Sequence, residues 1–285
     1  MMILLVACEK TIQFAPAEAS AKLVVEASIE TNQPPIVILS RSLGYFNQLT
    51  IDSLQNAFVH DAEIEISKGG RTHLLKEYEV PIGAGYYRYY YSVDSSSIAT
   101  AIFGEEGGSY LLNIRVGGNS YSSSTSIPVL NKIIDSLWWK KAANHPDSNK
   151  VILMARTFDP PGFGDYVRYF TKTNNEPFFP GLNSVFDDQI IDGKTYEIQV
   201  DRGVNRNQEI DFEEYAFFNR GDTVTLKLCN IDKATFDFWR TLEFSYSSIG
   251  NPFSSPTKVL SNIDGGALGY FGGYAVQLIG VRIPE

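Results

Sequence analysis

Glu106-Gly107-Gly108-Ser109-Tyr110 opens the stretch that decides the fold. A strand-like run over residues 109–116 follows, then the turn Gly117-Gly118-Asn119, then a second run over residues 120–127. Two short strands joined by a glycine turn read as an antiparallel hairpin, because glycine accepts the left-handed backbone of a tight turn. Tyr110 stands two residues after Gly108 at the start of the first run. That is the place of a tyrosine corner, whose buried hydroxyl bonds to backbone a few residues upstream.

The same signal recurs outward from this hairpin. Residues 62–68 alternate Ile64 and Ile66 with Glu63 and Glu65, and Gly69-Gly70 turns the chain into residues 72–77. Residues 22–29, 36–40 and 86–92 are further strands. Seven short strands with no helix pattern between them suggest an immunoglobulin-like β-sandwich over residues 21–128, of the kind that has no disulfide. Pro128 closes it. Residues 129–150 read as a connector carrying Trp138-Trp139. Residues 151–285 read as a second β-rich domain, with strands at 151–158, 166–173, 195–200, 223–229 and 274–283. One helix is expected near 232–246, with Asp232 as its N-cap and Ala234, Phe238 and Leu242 at four-residue steps. The expected fold class is therefore mainly β: an N-terminal sandwich plus a β-rich domain with one α-helix.

Composition bounds the function. The chain has 285 residues, 44% hydrophobic and 13% aromatic, so a sizeable core is available and disorder is excluded for most of its length. A net charge of -9 argues against nucleic-acid binding, which needs clustered Lys and Arg. The three histidines, His60, His73 and His145, have no metal-ligand spacing. Asp187-Asp188 with Asp192-Gly193 lacks the spacing of a calcium loop and reads as a solvated acidic turn. The glycine-rich segment 265–273 is not followed by the Lys-Ser/Thr of a phosphate loop and reads as close backbone approach in a strand. Adjacent acids such as Glu105-Glu106 and Glu213-Glu214 point to opposite faces of a strand and make no acid/base pair. No cofactor, metal site or catalytic set is expected.

The two cysteines differ in role. Cys8 ends the apolar run Met1-Met2-Ile3-Leu4-Leu5-Val6-Ala7. Leu5-Val6-Ala7-Cys8 resembles a bacterial lipobox, whose cysteine is acylated and becomes the mature N-terminus. Residues 1–20 are then a signal remnant and lipid-anchored tether. Cys229 lies in an alternating strand and reads as a buried thiol. Aromatic clusters mark candidate contact surfaces. Residues 86–91 are all tyrosine but for Arg88. With Tyr87, Tyr89 and Tyr91 facing inward, Tyr86, Arg88 and Tyr90 form an outer face of residue types enriched at interface hot spots. Trp139, Phe178 and Phe179 form further candidates, the last two in a loop.

A set of short motifs in fixed order carries a resemblance. These are Cys8-Glu9-Lys10, Lys22-Leu23-Val24-Val25-Glu26, Leu39-Ser40-Arg41-Ser42 and Ile231-Asp232-Lys233. The tail adds Asn251-Pro252-Phe253-Ser254-Ser255-Pro256, Ser261-Asn262-Ile263 and Gly265-Gly266-Ala267-Leu268-Gly269-Tyr270-Phe271. Together they resemble domain-of-unknown-function family 4249 over nearly the whole chain. The resemblance implies outer-membrane lipoproteins, often encoded beside TonB-dependent receptors, with no assigned reaction. The expectation is a non-catalytic surface lipoprotein that serves as an accessory or binding subunit of such a transporter. A stand-alone glycan-binding or adhesive surface module is the alternative.

Overall fold

The computed structural model describes residues 20–44, 49–143, 145–189, 192–249, 251, 255 and 257–285. Cys8 and the expected tether up to residue 19 lie outside the described residues, as do Pro252, Phe253, Ser254 and Pro256 of the tail motif.

The N-terminal strands follow the period-two rule of half-buried sheets. β1 (Leu23–Glu30) buries Leu23, Val25, Ala27 and Ile29. β2 (Ile36–Arg41), the short helix α1 (Ile51–Gln55), β3 (Glu63–Lys68), β4 (Arg71–Gly83), β5 (Tyr86–Val93), β6 (Ser109–Val116) and β7 (Asn119–Ser126) follow. β4 changes sheets midway: Arg71 to Leu74 pair with β3, and Leu75 onward pairs with β5. The strands thus divide into β1-β2-β5-β4 and β3-β6-β7, an order that fits the seven-stranded immunoglobulin-like sandwich. Val25, Leu39, Ile64, Ile66, Leu112 and Ile114 share one core between them.

The second half adds β8 (Ile133–Lys141), β9 (Lys150–Phe158), β10 (Tyr166–Thr173), β11 (Phe179–Phe186), β12 (Thr195–Val200), β13 (Phe218–Asn219), β14 (Thr223–Ile231), α2 (Lys233–Ser247) and β15 (Leu268–Arg282). The molecule is mainly β, and α2 is the long helix among the described residues. β8, β9, β12 and β13 form a small sheet. β11, β10, β14 and β15 extend the large one, which runs on through β1 to β7. Asp232 caps α2, accepting from the Thr235 N–H at 2.8 Å.

Three expectations are corrected. Residues 129–150 are not a plain connector, since β8 pairs with β9 along its length. Its alternation is broken by a register shift between Ile134 and Ser136, which hides a strand from a period-two reading. Phe179 is not in a loop but begins β11, where Pro180 and Gly181 imitate a turn. Proline and glycine are tolerated there because β11 is an edge strand with an irregular register. The boundary at Pro128 is crossed by β15. Val24 to Glu30 pair in parallel with Leu268 to Tyr274, and Ile263, Ala267, Phe271 and Ala275 complete the first core. The glycines of this segment permit the approach. A Cβ on Gly269, whose φ is +101°, would fall 1.9 Å from the Val25 carbonyl oxygen.

Candidate functional site

Val151, Leu153 and Ala155 of β9 pack with Val224, Leu226 and Leu228 of β14 in a second core between the two sheets. Beside this packing lies a cavity of about 820 Å³. Val167 and Tyr169 of β10, Leu182 and Val185 of β11, and Ile198 and Val200 of β12 line it. Its volume and its mostly apolar walls are those of small-molecule sites, which span roughly 300–1,000 Å³. Polar groups mark its ends, Lys132, Thr157 and Tyr196 on one side and Asp201 with Tyr215 on the other. Burial pushes the Asp201 carboxyl up from its ordinary value, against the Gln199 amide that donates to it at 3.0 Å. Burial likewise raises the Tyr169 and Tyr196 phenols, the latter opposed by the Lys132 ammonium. These shifts favour neutral forms, which suit hydrogen bonding to uncharged ligand groups.

An acidic cluster adjoins the Lys132 end. Asp159 is 0% exposed and Asp188 2%. With half-buried Asp165, each places a carboxylate oxygen within 4.8 Å of the others. These are the residues that could hold a metal ion. Lys132 Nζ already reaches into the set, 2.5 Å from Asp159 Oδ1, although no well-angled hydrogen-bond donor meets either Asp159 oxygen. The lysine is fixed by its backbone: its N–H donates to Asn230 Oδ1 at 3.0 Å and its carbonyl accepts from Asn230 Nδ2 at 2.8 Å. Asp188 Oδ2 accepts from the N–H groups of Gly164 (2.8 Å) and Asp165 (3.1 Å). Asp192 Oδ1 accepts from Gly162 N–H at 2.6 Å. The Asp187-Asp188-Asp192 segment is therefore corrected from a solvated turn to a brace on the loop before β10. Burial, then repulsion from Asp159 and Asp188, pushes the Asp165 carboxyl upward.

The residues singled out in the sequence do not converge. Tyr110 is buried; its hydroxyl accepts from the Glu105 N–H at 2.7 Å and donates to the Phe103 carbonyl at 3.3 Å. On β5, Tyr86 is half-buried and donates to Asp52 Oδ1 at 2.9 Å, Arg88 is exposed, and Tyr90 stacks on Tyr78 at 5.7 Å. The inward face fades along the strand. Tyr91 is buried and Tyr89 half-buried, but Tyr87 is exposed, because β5 pairs with β2 only at Tyr91. Trp139 lies on β8, half-buried against the second core with the Arg220 guanidinium 5.2 Å from its ring centre. Phe178 is half-buried with Lys227 Nζ 5.7 Å away, and Phe179 pairs with Thr171. Sequence reasoning missed Lys132, Asp159 and Asp165. They carry no motif, and only the fold brings the residue before β8 against the loop between β9 and β10.

Residues 9–278 match the family model described as Domain of unknown function (DUF4249), and the chain belongs to that family. No curated protein matches it.

Proposed function

We propose that this member of the DUF4249 family is a lipid-anchored outer-membrane surface protein that works by binding, as an accessory subunit of a TonB-dependent transporter. The observation that carries the binding reading is the cavity between the sheets, about 820 Å³ with apolar walls and polar ends. Its walls suit a mostly apolar molecule with hydrogen-bonding groups at its extremities, and Asp187, Glu197 and Arg240 also line it. Anchoring is supported by Leu5-Val6-Ala7-Cys8. The transporter neighbour is supported by the family resemblance. A tether holds the module near its partner and raises the effective concentration of contacts.

The binding reading is tested with the unacylated full chain carrying Cys8→Ser, titrated with the neutral fluorophore N-phenyl-1-naphthylamine. Saturable binding of one probe per chain is expected. Ile198→Trp, which fills the cavity from a partly exposed position on β12, abolishes it without lowering the melting temperature. Absence of saturable binding, or binding indifferent to Ile198→Trp, contradicts the reading.

A further inference from the structure

The end of the sandwich through which the chain enters carries an apolar tip that no other described residue covers. Leu23 pairs with Arg41, and Ser42 N–H donates to the Lys22 carbonyl at 2.8 Å. The segment leading back to Cys8 therefore leaves beside the C-terminal end of β2. α1 sits at this same end. Arg41 N–H donates to Ala57 just after it, and Gln55 Oε1 accepts from the Tyr87 N–H at 2.9 Å. The β4–β5 pairing also runs to this end. It continues to Gly83 opposite Tyr86, five residues past the single β2–β5 pair at Tyr91. At ~3.3 Å per residue the ribbon projects about 17 Å beyond that pair.

The ribbon tip, Val80-Pro81-Ile82-Gly83-Ala84-Gly85-Tyr86-Tyr87, carries no charge. Ile82 is 63% exposed. On and just before α1, which meets the ribbon through Asp52 at Tyr86 and Gln55 at Tyr87, Leu49, Ile51 and Leu54 are 74%, 58% and 52% exposed. Solitary exposed apolar residues are ordinary, whereas a cluster of them on an uncharged projection marks a contact surface. Its flanks carry exposed Lys22, Arg41 and Arg88 against Asp52 and Glu79, and the Tyr86 hydroxyl engages Asp52. Apolar side chains flanked by tyrosine and by three basic against two acidic residues match the layered polarity of a bilayer interface.

We propose that this tip rests in the interfacial layer of the bilayer that holds the acylated chain. The proposal rests on the anchor part of the reading above. What selects lipid over a protein partner is the position of the tip at the chain's point of entry. A tether from Cys8 to Lys22 reaches at most about 50 Å at ~3.6 Å per residue, and this end is the one that it joins, so the gap between tip and membrane has that upper bound.

The test uses the acylated full chain in vesicles of phosphatidylethanolamine and phosphatidylglycerol. Single cysteines at Ile82→Cys and Leu54→Cys carry an environment-sensitive nitrobenzoxadiazole label. Gln33→Cys, exposed in the β1–β2 turn at the opposite end, is the control. Cys229 stays unlabelled, because burial pushes its thiol up to about 12. Nitroxide lipids should remove most of the emission at Ile82 and Leu54 and leave Gln33 unchanged. Water-exposed labels on a chain whose mass shows an acylated Cys8 overturn the membrane contact and leave the anchor standing. A mass with unmodified Cys8 overturns both. Shielding of Ile82 only when a barrel protein is added assigns the tip to that protein and likewise overturns the proposal.

Discussion

The Tyr110 hydroxyl ties the start of β6 to the backbone of Phe103 and Glu105. Tyr110→Phe leaves the Glu105 N–H without its acceptor and should cost about 1–3 kcal/mol of stability, measured by urea unfolding. Lys132 and Asp159 announced nothing, since 27 positions separate the two partners of a buried pair. Lys132→Met strands Asp159 and should cost about 3–5 kcal/mol. The double variant Lys132→Met/Asp159→Leu should recover most of that loss, and a double variant no better than the single one would sink this account. Asp165 supplies a pH signature. Its folded carboxyl is raised, so ionisation favours the unfolded chain at neutral pH. Asp165→Asn should stabilise the protein at pH 7. The gain should shrink as pH falls through the raised value and vanish below the ordinary 3.8, where both states are protonated. A constant gain across that range would contradict the origin given for it.

At the scale of elements, α2 was legible because capping and four-residue periodicity both lie within its own sequence. Asp232 does more than the cap requires. Oδ2 accepts from Thr125 Oγ1 at 2.8 Å and from Ser126 N–H at 3.1 Å, tying the helix start to β7. Asp232→Ala should therefore cost about 2–3 kcal/mol, above the ~1 kcal/mol of an ordinary cap, as read by thermal unfolding. A loss near 1 kcal/mol would mean that the tie to β7 contributes nothing. β8 and β11 were illegible for the opposite reason. A bulge in one and Pro180-Gly181 in the other break the local pattern, and their identity as strands comes from partners far along the chain. The cavity shares that cause, because β11 is one of its walls.

At the scale of the whole molecule, β15 joins what the sequence divides. It runs parallel to β1 in the first sandwich and antiparallel to β14 in the second half. Gly269→Ala combines a left-handed backbone with a clash on the Val25 carbonyl and should cost about 3 kcal/mol or more. It should lower one shared unfolding transition in calorimetry, and separate transitions with only one affected would contradict the joined core. The composition and the strand pattern made the β architecture readable, but not this closure, since parallel pairing of the two chain ends leaves no local mark. The proposed address rests on Cys8, and the proposed occupation of a membrane surface beside a transporter is the centre of the account. The most direct measurement is purification from native membranes in mild detergent, with mass spectrometry of the chain and of whatever co-purifies. The account predicts an acylated Cys8 without residues 1–7 and an outer-membrane barrel in the same complex. An intact Met1 and no barrel partner would contradict it.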